Sequence, residues 1–120
     1  VGTVVASNSP TSWAITVNTT NNAFAISAAG QLTVINTTDL DREAASSLSI
    51  TVTATNGSGT SPGVSVTINL NDVNDVTPVV TAAQSFNINE NLANSSVVGT
   101  VLATDGDVTS TTFSNWTLTS

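Results

Sequence analysis

The acidic residues of this 120-residue chain are concentrated in short clusters that could bind a divalent cation. Seven of the eight carboxylates lie in four segments, and only Asp39 stands apart from them. Calcium takes about six to eight oxygen ligands from carboxylates, Asn side chains and backbone carbonyls on irregular backbone. The types and spacing of these residues therefore favour calcium as a ligand. The four segments are LDRE at 40–43, NDVND at 71–75, NEN at 89–91 and DGD at 105–107.

Clustered carboxylates are unfavourable in the absence of a cation. Two like charges about 4 Å apart repel by about 4 kcal/mol at a surface-like effective dielectric. A divalent cation replaces that repulsion with attraction, and neutral oxygens from neighbouring residues such as Asn74 complete the ligand set. The clusters therefore predict a calcium site in turns or loops.

The overall charge limits the possible partners. The formal net charge is -7, and Arg42 is the only cationic side chain. Proteins that bind nucleic acid need clustered Lys or Arg to neutralise phosphates, and anionic lipid surfaces repel acidic proteins. No apolar run approaches the roughly 18 residues of a transmembrane helix. We therefore expect no nucleic-acid partner and no membrane insertion in this segment.

The composition also provides little for catalysis. The chain contains no His, Cys, Lys or Tyr, so serine or cysteine triads and Schiff-base chemistry are excluded. A glycosidase-like pair of carboxylates is conceivable, but each clustered acid already belongs to one of the four segments. We expect that the protein is not an enzyme.

Alternation of apolar and polar residues dominates the chain and predicts β-strands with one buried face. The clearest case is SLSITVTAT at 47–55, where Leu48, Ile50 and Val52 alternate with Ser and Thr. GVSVTINL at 63–70 and three shorter segments around Trp13, Phe24 and Leu32 follow the same pattern. Turn sequences separate them, and only DLDREAASS at 39–47 could form a helical turn or two. Short strands at this spacing predict an all-β sandwich.

The chain contains an internal repeat. VGTVVAS at 1–7 recurs as VGTVLAT at 98–104, an offset of 98 - 1 = 97 residues. SWAIT at 12–16 recurs as NWTLT at 115–119, so that Trp13 corresponds to Trp116, an offset of 116 - 13 = 103. A period close to the size of one sandwich indicates a tandem array of domains, cut out of phase in this chain.

These segments, in this order, resemble the cadherin repeats of large bacterial (or archaeal) surface adhesins. In that family a Glu motif, an LDRE, a DxNDxxP linker and a DxD follow one another across adjacent repeats. The resemblance implies a cadherin-type, immunoglobulin-like Greek-key sandwich. It also implies three parts: a repeat lacking its first strand at 1–71, a calcium-binding linker at 72–78, and the first three strands of the next repeat at 79–120.

The same resemblance implies one calcium cluster at the joint between the two repeats. Asp41 and Glu43 would reach it from the first repeat, and the second repeat would contribute Asp105 and Asp107. The linker would contribute its own three ligands, and Glu90 would belong to the following joint. The linker ligands implied by the resemblance are Asp72, Asn74 and Asp75.

The sequence departs from the family pattern at the other end of the first repeat. SNSP at 7–10 replaces the TDGD of the second copy, and Asn56 stands where the family usually has Asp. We therefore expect the joint above the first repeat to bind calcium poorly or not at all. In the linker, Val76 replaces a usual Asn.

The resemblance implies a calcium-stiffened structural or adhesive module of an extracellular or cell-surface protein, as an adhesin stalk, a surface layer or a filament. Its partners would be adjacent repeats of the same protein, with self-association or strand exchange between neighbouring copies as a further possibility. The alternative is a carbohydrate- or ice-binding surface that uses exposed aromatic rings or an outward row of Thr51, Thr53 and Thr55. The repeat places Trp13 and Trp116 at equivalent, alternating positions, which favours a role in the core for both.

Overall fold

The computed structural model describes residues 1–108 and 112–119. Its elements are nine β-strands, and no helix occurs in these residues, which confirms the predicted all-β fold. The chain divides into two compact units, Val1–Asn71 and Asp72–Ser120.

The larger sheet of the first unit is built around one long central strand. This strand, β5 (Ser47–Asn56), pairs with β2 (Ser12–Val17), β6 (Gly59–Thr60) and β7 (Val64–Asn69). All three pairings are antiparallel, and Trp13 lies opposite Ala54 while Ile15 lies opposite Val52. The register between β2 and β5 shifts at a bulge between Ile15 and Val17.

A smaller sheet covers the apolar face of the larger one. Its strands are β1 (Gly2–Thr3), β3 (Phe24–Ile26) and β4 (Gln31–Val34), in the order β1-β4-β3. Both sheets contribute to one buried core, in which Ile50 and Phe24 are 1% and 2% exposed. The alternation predicted for β5 is therefore confirmed. The buried core residues are Ala23, Phe24, Leu32, Ile50 and Val52.

A glycine allows the two sheets to approach closely near β1. Gly30 has a φ of +78°, and its N–H donates to the carbonyl of Ser27 at 2.9 Å. A Cβ atom at this position would lie 2.5 Å from the carbonyl oxygen of Val4 and 3.1 Å from the Trp13 ring. Trp13 is therefore a packing residue beneath a turn, half-buried rather than free in solvent.

A carboxylate outside the four clusters organises the loop before β3. Asp39 accepts hydrogen bonds from the backbone N–H and the side-chain amide of Asn21. Hydrogen bonds from the Thr19 side chain, and then from Asn21, hold the pKa of Asp39 below its usual range. Asp39 therefore acts as a structural residue within the first unit.

The second unit contains less regular structure. Its strands are β8 (Val79–Val80) and β9 (Ala103–Thr104), which pair antiparallel. Gln84 extends this short ladder: its side-chain amide donates to the Leu102 carbonyl at 3.0 Å, and its side-chain oxygen accepts the Leu102 N–H at 2.8 Å. Residues 112–119, which include Trp116, form no strand. The described part of the chain also contains no helix long and apolar enough to cross a membrane.

The core of the first unit predicts which aliphatic residues matter for stability. We expect Ile50→Ala to lower the free energy of unfolding by about 2–4 kcal/mol, because it leaves a cavity in a well-packed site. Ile35, which is 63% exposed, offers the matched control, and Ile35→Ala should change stability by less than about 1 kcal/mol. Urea unfolding followed by circular dichroism measures both, and equal losses would contradict the described core.

The lowered pKa of Asp39 predicts a dependence on pH. Because the folded state favours the ionised form, Asp39 stabilises the first unit above about pH 4, and this contribution disappears as the pH falls through its lowered pKa. We expect Asp39→Asn to melt at a lower temperature than the wild type at neutral pH. The difference in melting temperature should narrow as the pH falls through the lowered pKa of Asp39, and a difference that stayed constant would contradict the ionised role.

Candidate metal centre

A buried carboxylate joins two irregular segments of the second unit. Asp107, in the DGD loop, is 4% exposed. Its Oδ2 atom accepts the N–H of Val76 at 3.1 Å, and its Oδ1 atom accepts the N–H groups of Asp75 and Val76 at 3.4 Å. The Asp107 side chain of the DGD loop is therefore held by backbone N–H groups of the linker.

The local structure of the DGD loop follows from its residue types. Asp105 accepts the N–H of Asp107 through Oδ1 at 3.2 Å, the i to i+2 pattern of an Asx turn. Gly106 passes close to the linker, since a Cβ atom there would lie 3.2 Å from Cγ1 of Val76. The two aspartates and the intervening glycine thus direct the Asp107 side chain towards residues 75 and 76.

The electrostatics of this site are unfavourable for the ionised acid. Burial raises the pKa of Asp107 most strongly, and the nearby Asp105 carboxyl raises it further, against the lowering effect of the hydrogen bonds from Val76 and Asp75. A carboxylate oxygen of Asp75 lies within 4.8 Å of one of Asp107. A cation would offset both the burial and the repulsion.

The remaining predicted residues of the linker lie beside this pair. Asp72 is half-buried, and its Oδ1 atom is shielded from solvent. Asn74 and Asp105 line the polar side of a cavity of about 410 Å³ in the second unit, which Pro78 also borders. The five candidate residues of the second unit thus lie in one linker and one loop, which meet at Asp107. They are Asp72, Asn74, Asp75, Asp105 and Asp107.

In the first unit, Asp41 and Glu43 lie in a single helical turn before β5. The Oδ1 atom of Asp41 accepts the N–H of Ala44 at 2.9 Å, and its carbonyl accepts the N–H of Ala45 at 3.0 Å. Glu43 is exposed in the same turn. This turn is the one that the DLDREAASS segment predicted.

Glu90 lies in a separate exposed turn of the second unit. The N–H of Leu92 donates to the carbonyl of Asn89 at 3.2 Å and closes this turn. Glu90 borders an open surface cavity with its sequence neighbours. Its assignment to another joint remains a prediction from the resemblance.

The other end of the first unit uses neutral groups where the DGD loop uses carboxylates. The side-chain amide of Asn56, at the end of β5, donates to the carbonyl of Asn8 at 2.8 Å and accepts the N–H of Ser58 at 2.9 Å. Asn8 and Ser9 both have positive φ values, 63° and 46°. A direct hydrogen bond therefore connects the two loops at this end, and no carboxylate belongs to this contact.

Two features of the site were not predicted from the sequence. The N–H groups of Asp75 and Val76 hold Asp107, and backbone groups have no signature in a residue pattern. The exposure of Trp116, at 48%, also differs from the core role that the repeat favoured. The relevant signal was the family resemblance, which implied that the linker and the DGD loop lie close together but did not identify the backbone donors.

No protein-family profile matches the chain. Among curated proteins, no significant relative is found. The fold does match solved structures, including a crystal structure of mouse cadherin-23 EC22-24, with 30% sequence identity and a TM-score of 0.54. That match covers 80% of this chain and 32% of the cadherin-23 chain.

A crystal structure of human protocadherin-24 EC1-2 matches with 26% identity and a TM-score of 0.56 over 83% of this chain and 47% of the protocadherin chain. The chain therefore spans about a third to a half of the length of these two structures. Together with the two-sheet core of the first unit, these similarities establish that the chain has the immunoglobulin-like fold of cadherin repeats.

Proposed function

We propose that this chain is a structural or adhesive repeat module of an extracellular protein, stiffened by calcium at the segment that links two repeats. The similarity to two cadherin structures supports the module. The observation that carries the calcium assignment is the buried Asp107 carboxylate, held by linker N–H groups close to a second acid, Asp75.

The residues of the second unit fit a hard divalent cation. Calcium prefers carboxylate, Asn and carbonyl oxygens on irregular backbone. The linker and the DGD loop both provide oxygen ligands of these kinds. When bound, calcium supplies positive charge that offsets the burial of Asp107 and its repulsion by neighbouring acids. The proposed ligands here are Asp72, Asn74, Asp75, Asp105 and Asp107.

Asp41 and Glu43 of the first unit complete the proposed ligand set. Their turn precedes β5, and Asp41 uses one oxygen to cap it. Ligands from both repeats would make the linker at 72–78 rigid in calcium and flexible without it, because a shared cation restrains both segments at once. The proposed repeats are those at 1–71 and 79–120, and Glu90 would serve the next joint.

The extracellular location of the module follows from this proposed role of calcium. Calcium is abundant outside cells, and a series of stiffened repeats extends a binding domain away from a surface or builds a layer or filament. We place the module in a surface adhesin or related protein of bacterial or archaeal type, with adjacent repeats as its partners. Self-association or strand exchange between neighbouring copies would be a second mode of association.

The alternative, a carbohydrate- or ice-binding surface, has less support from the structure. The row of Thr51, Thr53 and Thr55 is half-buried, and the Thr55 hydroxyl bonds that of Thr60 at 2.8 Å. A water-ordering or sugar-binding face needs hydroxyls that are open to solvent. Trp116 is 48% exposed, but its position in the repeat corresponds to that of Trp13, which packs beneath Gly30.

Calcium should stabilise the chain against heat. At a calcium concentration about 100-fold above Kd, we expect the melting temperature to rise by roughly 10 °C relative to chelator. Magnesium at the same concentration should have a smaller effect, because it demands a more rigid octahedral site. The matched control is Asp39→Asn, which removes one carboxylate outside the proposed ligand set and should preserve the calcium shift. An unchanged melting curve in calcium would contradict the proposal.

Substitution of Asp107 should have a small effect without calcium and a large effect with it. In chelator, Asp107→Asn removes a buried charge and its repulsion and keeps one side-chain oxygen as an acceptor for the N–H groups of the linker, so the melting temperature should change little. In calcium, the same variant should lose most of the stabilisation because a ligand is missing. Differential scanning calorimetry in both conditions makes the comparison. If Asp107→Asn lost the same stability in chelator and in calcium, the Asp107 carboxylate would have a purely structural role.

A further inference from the structure

One asparagine of the first unit is followed by a residue that leaves its side chain open to attack by the backbone. Asn56, at the end of β5, is the only one of the 14 asparagines that precedes a glycine. Gly57 is exposed, and a Cβ atom built on it would meet no atom within 4 Å. The backbone nitrogen of Gly57 is therefore unshielded next to the Asn56 side chain.

Hydrogen bonds hold the Asn56 side chain in a defined orientation. Its Oδ1 atom accepts the Ser58 N–H at 2.9 Å, and its amide nitrogen donates to the Asn8 carbonyl at 2.8 Å. A fixed N–H donor stabilises the negative charge that develops on a carbonyl oxygen during nucleophilic attack. The Ser58 N–H would supply this stabilisation to Oδ1 during an attack on Cγ of Asn56.

We propose that Asn56 is a site of spontaneous deamidation, which converts a neutral loop contact into a charged one. The Gly57 nitrogen loses its proton to water and forms a bond to Cγ of Asn56. The bond from Cγ to the amide nitrogen breaks, and ammonia leaves after taking a proton from water. Water then adds to one carbonyl of the resulting succinimide and breaks one of its C–N bonds, which gives aspartate or isoaspartate at position 56.

The modification would remove the hydrogen bond that connects two loops of the first unit. A carboxylate cannot donate to the Asn8 carbonyl, and its charge repels that oxygen. Asn8 and Ser9 have φ values of 63° and 46°, and such conformations persist only where the surrounding structure holds them. Residues 7–10 should therefore become more mobile after deamidation. This inference goes beyond the proposed function, because it concerns the end of the unit that is connected without carboxylates.

The first unit contains a second asparagine with the same hydrogen bonds and a different neighbour. The Oδ1 atom of Asn36 accepts the Thr38 N–H at 3.0 Å, and its amide donates to the Asn21 carbonyl at 2.9 Å. Asn36 and Asn56 are both half-buried, and the residue after each is exposed. Thr37 carries a branched Cβ atom that shields its backbone nitrogen. The absence of a side chain at Gly57 is thus what selects Asn56.

The test incubates the full chain for several weeks at mildly alkaline pH in water enriched in heavy oxygen, followed by peptide mapping with mass spectrometry. Asn56 should convert at least about tenfold faster than Asn36, because a side chain at the next residue hinders the approach of its nitrogen. Each event should incorporate one oxygen atom from the solvent. Equal rates at Asn36 and Asn56 would overturn the proposal.

Reciprocal variants test the role of the neighbour. Gly57→Ala should slow conversion of Asn56 by about tenfold or more, and Thr37→Gly should accelerate conversion of Asn36 by a similar factor. The positive φ values among the described glycines belong to Gly30 and Gly59, so Ala fits at position 57 without strain. Conversion that was unchanged in Gly57→Ala, or that occurred only after unfolding in urea, would overturn the proposal.

A product mimic tests the structural consequence. Asn56→Asp should lower the melting temperature by roughly 5 °C in chelator, because a hydrogen bond between two loops is lost. Hydrogen exchange at residues 7–9 should also become faster. The matched control is Asn94→Asp, which adds the same charge in an exposed turn and should melt like the wild type. Chelator makes the result independent of the proposed calcium site, and equal melting of the two variants would overturn the predicted opening of the loop contact.

Discussion

The hydrogen bonds from the N–H groups of Asp75 and Val76 to the Asp107 carboxylate are the interaction on which the organisation of the second unit depends. They fix the DGD loop against the linker and bury an acid at 4% exposure. The same burial, with Asp105 nearby, raises the pKa of Asp107. The backbone donors only partly compensate for the burial of the acidic side chains in this segment. A bound cation would compensate for the rest, which is the physical basis of the proposed calcium site.

The two ends of the first unit illustrate two ways to connect loops in one fold. At the end near Asn56, a neutral amide bridges to the carbonyl of Asn8, and the contact is complete without an ion. At the end near Asp41, a carboxylate caps its own turn through one oxygen. An array built from such repeats would combine joints that respond to calcium with joints that do not, and its flexibility would then be set joint by joint.

The sequence predicted the strands well because alternation is a local property. Ile50 and Val52 are buried as their positions in the pattern require, and the LDRE segment forms the expected turn. The carboxylates of the candidate site were predicted from residue types and their order along the chain, and their role in metal binding stays a prediction. The backbone donors to Asp107 were not predicted, because Val76 contributes only a backbone N–H. Trp116 shows the other limit: a pattern identifies an apolar side chain, but the 48% exposure of this side chain depends on tertiary contacts that the pattern does not specify.

A crystal structure of the chain grown in millimolar calcium tests the proposed calcium site at Asp107 most directly. We expect an ion about 2.3–2.6 Å from carboxylate oxygens of Asp107 and Asp75, with further oxygen ligands from the linker and the DGD loop. A well-ordered linker with no ion there, and with Asp107 bonded only to the N–H groups of Asp75 and Val76, would contradict it.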